Sequence, residues 1–112
     1  MIDIFVISPY RSDEELVERA RVLINEGYVA KLVNAGKLVY STILSYDRLS
    51  TGYGLPKDYS YWQKLCHTMI SLSEEVHVLC IDGYEESEGV QDEIITAFEL
   101  GKVVKYIYPE DL

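Results

Sequence analysis

The chain has 112 residues, 48% of them hydrophobic, and its 19 acids against 10 Lys and Arg leave a net charge of −9. That length suits one domain with one core, residues 1–112, and the hydrophobic content excludes a largely disordered chain. The acidic balance excludes non-specific binding to a nucleic-acid polymer, whose phosphates need a basic face, but leaves room for a small anionic ligand held by a helix end and one arginine.

The N-terminus, Met1-Ile2-Asp3-Ile4, has no basic leader, and no apolar run approaches the roughly 18 residues of a membrane span. A cytoplasmic protein without membrane contact is expected. Cys66 and Cys80 fall in a helix pattern and a strand pattern without CxxC spacing, which reads as two reduced, buried thiols. With only His67 and His77 to add, neither a metal nor another cofactor is expected.

Residues 2–7 form a short apolar, β-branched run, the pattern of a strand covered on both faces. Ser8-Pro9-Tyr10-Arg11 ends it. Ser12 followed by Glu15 predicts a capping box, and helical spacing continues through Leu16, Ala20, Leu23 and Ile24 to about Ala35. Gly27 predicts a kink or break in that helix, and Gly36 its C-terminal stop. Residues 37–41 read as a second strand. From Thr42 to Pro56 both periods fade and Gly52, Gly54 and Pro56 punctuate the segment, so a loop is expected. A helix then starts at Asp58 or Ser60, with Trp62, Leu65, Met69 and Leu72 on one face. Residues 76–81 form a third strand, 90–100 a third helix and 103–107 a fourth strand.

Alternating apolar strands and helices indicate an α/β fold, a small flavodoxin- or Rossmann-like parallel sheet of about four strands flanked by helices. Right-handed crossovers place the first and third strands side by side at a topological switch point. The ligand crevice is then expected at their carboxyl ends, where Ser8, Tyr10 and Arg11 meet the loop Asp82-Gly83-Tyr84-Glu85-Glu86-Ser87-Glu88-Gly89. A Ser- and Gly-containing loop that opens a helix offers free N–H groups and a positive helix end to an anion, while Glu93 stands near the same mouth.

Ser87-Glu88-Gly89-Val90-Gln91-Asp92-Glu93, then Ala97 and Gly101-Lys102-Val103, resembles the S-x-G-V-x-x-E…A…G-K-x-V signature of the nucleoside 2-deoxyribosyltransferase superfamily, which includes deoxynucleoside monophosphate N-glycosidases and small uncharacterised branches, many in phage genomes. Gly83-Tyr84-Glu85-Glu86-Ser87 is similar to a G-W-x-x-S variant of one such branch. Ile7-Ser8-Pro9-Tyr10 resembles the family's first-strand turn, and Val39-Tyr40-Ser41-Thr42-Ile43 its second strand. The resemblance implies a nucleoside or nucleotide ligand and cleavage or transfer at its N-glycosidic bond. Glu93 would be the nucleophile, Ser87 and the Gly89 amide would hold a phosphate or the sugar end, and Tyr10 and Arg11 would border the ligand.

In one respect the chain departs from the pattern. The family often carries an Asp eight residues before the acid that opens the third strand, and counting back from Glu75 that position is His67. An imidazole there is able to protonate a leaving base, and it equally fits a scaffold that binds nucleotides without turnover. Tyr40, Tyr46, Tyr53, Tyr59 and Tyr61 gather around the irregular segment, and with Trp62 they suggest base stacking or a subunit interface. A homodimer or larger assembly is expected.

Overall fold

A computed structural model describes residues 1–112. The chain runs β1 (Ile2–Ile7), α1 (Glu15–Asn34), β2 (Val39–Tyr40), α2 (Thr42–Tyr53), α3 (Tyr59–Ser71), β3 (Ser73–Leu79), α4 (Glu88–Glu99) and β4 (Val103–Ile107), with a closing 3₁₀ turn at Pro109–Asp111. Its four strands form one sheet in the order β2-β1-β3-β4, every pair parallel. The expected α/β architecture and the adjacency of the first and third strands are therefore observed. Ile4 pairs with Glu75, and Ile7 with Val78.

Alternation along the two central strands divides the core. Phe5 and Ile7 of β1, with Val76 and Val78 of β3, face Cys66 and Ile70 of α3 and Val90, Ile94 and Ala97 of α4. Ile4 and Val6 point the other way, joining Leu79, Ile81 and Tyr28 of α1. Successive side chains of a strand leave opposite faces, so continuous apolar runs serve a sheet covered on both sides. Behind β3, Tyr28 and His77 share a buried hydrogen bond of 2.6 Å, and the other imidazole nitrogen meets Glu75 at 2.7 Å.

Several local expectations change. The anticipated capping box does not form: α1 starts at Glu15, the Glu14 amide donates to Ser12 Oγ at 3.1 Å, and Glu18 rather than Glu15 accepts from the Ser12 amide at 3.0 Å. No break occurs at Gly27, because α1 continues to Asn34. Gly36 is the expected stop: at φ 85° it lets its own N–H reach Val33 O at 2.9 Å and that of Lys37 reach Leu32 O at 3.1 Å. Gly101 closes α4 in the same way, with Lys102 N–H on Ala97 O at 2.9 Å. The third strand begins at Ser73 and ends at Leu79, so Cys80 and Ile81 are buried loop residues.

The largest correction is Thr42–Tyr53, expected as a loop and observed as helix α2. Ser41 caps it, accepting from the Leu44 amide at 3.3 Å, and Gly54 ends it in the left-handed region at φ 61°. Its buried residues are Thr42 and Asp47. A helix whose inward face is polar carries no apolar stripe to announce it.

No helix is long and apolar enough to cross a membrane. Ile70 is fully buried at the centre of the larger core half. Ile70→Ala is expected to cost about 2–5 kcal/mol, read as a lower denaturant midpoint with an unchanged slope.

Candidate functional site

The loops after β1 and β3 leave the same end of the sheet, and α2 and the start of α3 stand opposite them. Between these parts lies a cavity of about 650 Å³. Of the residues singled out from sequence, Ser8, Tyr10, Arg11, Gly83, Ser87, Gly89 and Glu93 line it. Tyr84 does not; its ring packs on the core and its carbonyl accepts from Gln91 Nε2 at 3.0 Å. His67 also lies outside the lining, with Nε2 on Asp92 Oδ2 at 2.6 Å and near Thr96 Oγ1 at 3.1 Å. The His67 imidazole therefore serves Asp92 and does not border the cavity.

Glu93 is carried there by α4. Ser87 caps this helix, its Oγ accepting from the Val90 amide at 3.2 Å, which leaves the first N–H groups of Glu88 and Gly89 without intrahelical partners. Glu93 lies beyond the first turn with 9% of its surface exposed. Burial pushes its carboxyl up to about 8, aided by the negative charge of Asp92 and opposed by the Tyr59 hydroxyl and Cys66 thiol. The Cys66 thiol is itself pushed up to about 12, by burial and then by the charge of Glu93.

The neighbouring acid behaves oppositely. Burial works against its charge, but hydrogen bonds from His67, Tyr59 and Gln63 hold Asp92 below the usual carboxylate range. Tyr59 donates to Asp92 Oδ2 at 2.9 Å, and its ring lies where a Cβ on Gly89 would come within 3.0 Å. Residue 89 is therefore small because the Tyr59 ring occupies the space. Two adjacent carboxyls thus acquire different protonation at neutral pH, Asp92 charged and Glu93 mostly neutral.

A second polar cluster braces the opposite wall. Asp47 of α2 receives both guanidinium nitrogens of Arg19 from α1, one of them Nη1 at 2.8 Å, and the Tyr10 hydroxyl at 2.5 Å. The Arg19 hydrogen bonds hold Asp47 below its ordinary range against burial, whereas burial and then Asp47 push Tyr10 up to about 12. One carboxylate thereby joins α1, α2 and the loop after β1.

Arg21 completes the wall. Nη1 donates to Arg11 O at 2.8 Å, while its buried Nε has no partner. The guanidinium lies against Gly83, where an added Cβ would come 2.3 Å from Nη2 and where φ is 94°. Tyr46 and Trp62, with ring centroids 4.9 Å apart, add aromatic surface, and Lys57 adds a cation. Sequence reasoning overlooked Arg19, Arg21 and Asp47, and had Tyr59 only as one of several loop tyrosines. No short motif unites them, because they come from three different helices, α1, α2 and α3. No group of three or more His, Cys, Asp or Glu side chains is placed to hold a metal ion.

The Glu93 carboxyl has a thermodynamic consequence. Its folded-state value lies above its unfolded one, so the folded state retains a proton that the unfolded state releases as pH rises from about 4.5 to about 8. Stability relative to Glu93→Gln should therefore fall across that window, by up to about 1.4 kcal/mol per pH unit. Paired melting curves of the two proteins between these limits test this, and a pH-independent difference would refute the burial of a protonated Glu93.

No curated protein matches the chain. The family model described as Domain of unknown function (DUF1937) matches residues 3–109. Because that match spans nearly the whole sequence, the chain belongs to the DUF1937 family.

Proposed function

We propose that the cavity binds a nucleoside or nucleotide and that Glu93 attacks its anomeric carbon, cleaving the N-glycosidic bond or transferring the 2-deoxyribosyl group. The observation that carries this reading is the Glu93 carboxyl, buried at the wall of a 650 Å³ cavity at the carboxyl ends of β1 and β3 and, unlike the equally buried Asp47, not tied up by an arginine. A cavity of that size suits a nucleotide-sized molecule. Tyr46 and Trp62 provide faces for a base, and the first amides of α4 with Ser87 provide donors for a phosphate or sugar oxygen.

In the reaction, a Glu93 carboxylate oxygen forms a bond to the anomeric carbon while the bond to the base nitrogen breaks. The electron pair leaves with the base, which takes up a proton. Water then releases the sugar from the glycosyl ester, or a second base accepts it. Attack requires the ionised carboxylate, so activity should rise with pH towards about 8, the value to which burial pushes Glu93 in the empty cavity.

A second reading is non-catalytic nucleotide binding or sequestration. It is favoured by the neutral state of Glu93 and by the engagement of His67 with Asp92 instead of the cavity. One experiment separates the two: the protein is incubated with nucleosides and their monophosphates, free base is followed by chromatography and binding by calorimetry. Release of base that Glu93→Gln lowers by roughly three orders of magnitude or more, with binding retained, supports catalysis. Binding without release supports sequestration, and no binding of any member defeats both.

A further inference from the structure

We propose that the Tyr59 hydroxyl switches between two carboxyls, Asp92 and Glu93, and that His67 permits the switch from outside the cavity. Its part in turnover rests on the role proposed for Glu93 above. Tyr59 is the first residue of α3 and lines the cavity, its ring wedged where a Cβ on Gly89 would come within 3.0 Å. The ring is therefore fixed while its O–H is free to rotate. That O–H donates to Asp92 Oδ2 at 2.9 Å, and the Glu93 carboxyl is within hydrogen-bond reach of the same hydroxyl. A phenol has one proton to donate, so it serves one carboxylate at a time.

While Glu93 keeps its own proton it needs no donor, and Tyr59 rests on Asp92. Once ionised, Glu93 is a buried carboxylate that only accepts, and the Tyr59 O–H is the donor at hand. Burial, then the charge of Glu93 and the bond to Asp92, hold the phenol well above its ordinary range, so its proton is not lost at neutral pH. The other nearby group, the Cys66 thiol, is a weak donor already given to Thr42 Oγ1 at 3.3 Å. These two from α3 and Asp92 from α4 are the titrating groups around Glu93, and Asp47 of α2 is committed to Arg19.

Turning to Glu93 takes a donor from Asp92, and His67 offsets that loss. Thr96 spends its hydroxyl proton on Asp92 O at 2.9 Å, which leaves its oxygen to accept from His67 Nε2 at 3.1 Å. Nε2 therefore carries a proton, and it directs that proton also to Asp92 Oδ2 at 2.6 Å, the same oxygen that Tyr59 meets. With Gln63 as a further donor, the imidazole keeps Asp92 charged after Tyr59 has turned away. His67 thus acts on Glu93 as a positioning residue, through Asp92 and Tyr59.

Infrared titration of the ligand-free protein from about pH 5 to 10, with Glu93→Gln identifying the Glu93 carboxyl band, tests the proposal. Tyr59→Phe keeps the ring and removes the O–H, and should raise the Glu93 midpoint by about one pH unit or more. The His67 side chain is 37% exposed, so its replacement leaves the core untouched. His67→Ala should raise the midpoint by about half a unit or more, and His67→Gln, which keeps an N–H near the Nε2 position, should restore it. In the Tyr59→Phe background His67→Ala should add no further rise, because no hydroxyl is left to release. The pH profile of base release should shift in step with these midpoints. A midpoint unmoved by Tyr59→Phe, or a His67→Ala rise that persists undiminished in the Tyr59→Phe background, overturns the proposal. Midpoints that move as expected without any release of base support the switch and defeat the catalytic reading alone.

Discussion

The parallel pairing of β1 with β3 is the constraint on which the remaining structure depends. It joins strands separated by more than sixty residues of sequence, Ile2 lying beside Ser73 and Ile7 beside Val78. Because both strands run the same way, both chains leave the sheet at one end. The Ser8–Arg11 loop and the Asp82–Ser87 loop are thereby brought face to face, and α4 starts from the second of them. An antiparallel partner would send one loop to the far edge, and no cavity would form between them.

On that frame the site is assembled from polar groups with unequal fates. Asp47 is buried but richly supplied with donors, so it remains charged and ties α1 to α2 through Arg19 and to the first loop through Tyr10. Asp92 likewise keeps its charge through His67 and Tyr59. Glu93 receives less compensation, and burial keeps its proton in place. Donor supply, more than depth alone, separates these three carboxyls. The result is one carboxyl that keeps its proton at a cavity whose other acids are Asp47, held charged by Arg19, and the exposed Asp82, Glu86 and Glu88.

The two faces of the sheet are covered unequally. Packed against one face, α3 and α4 bury Ile70, Ile94 and Ala97 beneath them. Over the other lies α1, which buries Tyr28 inward yet presents Leu16 and Leu23 outward. A helix apolar on both sides has more apolar surface than its own domain uses.

Much of the fold was legible because the central strands are continuous apolar runs, a pattern that only a sheet covered on both faces requires. The order of β1 and β3 followed from the handedness of crossovers, and the helix stops at Gly36 and Gly101 from the need for a left-handed residue. The loop-to-helix segment ending in Glu93 was legible for a similar local reason, Ser87 being a good cap before an apolar-periodic helix. Helix α2 was not, since its buried side chains are Thr42 and Asp47 and no hydrophobic period marks it. Neither the brace of Arg19, Tyr10 and Asp47, nor the partnership of His67 with Asp92, has a sequence signal, because each joins residues at least 25 positions apart or on separate elements. Local sequence determined where strands, caps and turns form, since these depend on neighbours within a few residues. Which carboxyl lost its charge was decided only by tertiary packing, because burial and donor supply are properties of what the rest of the chain brings to that point.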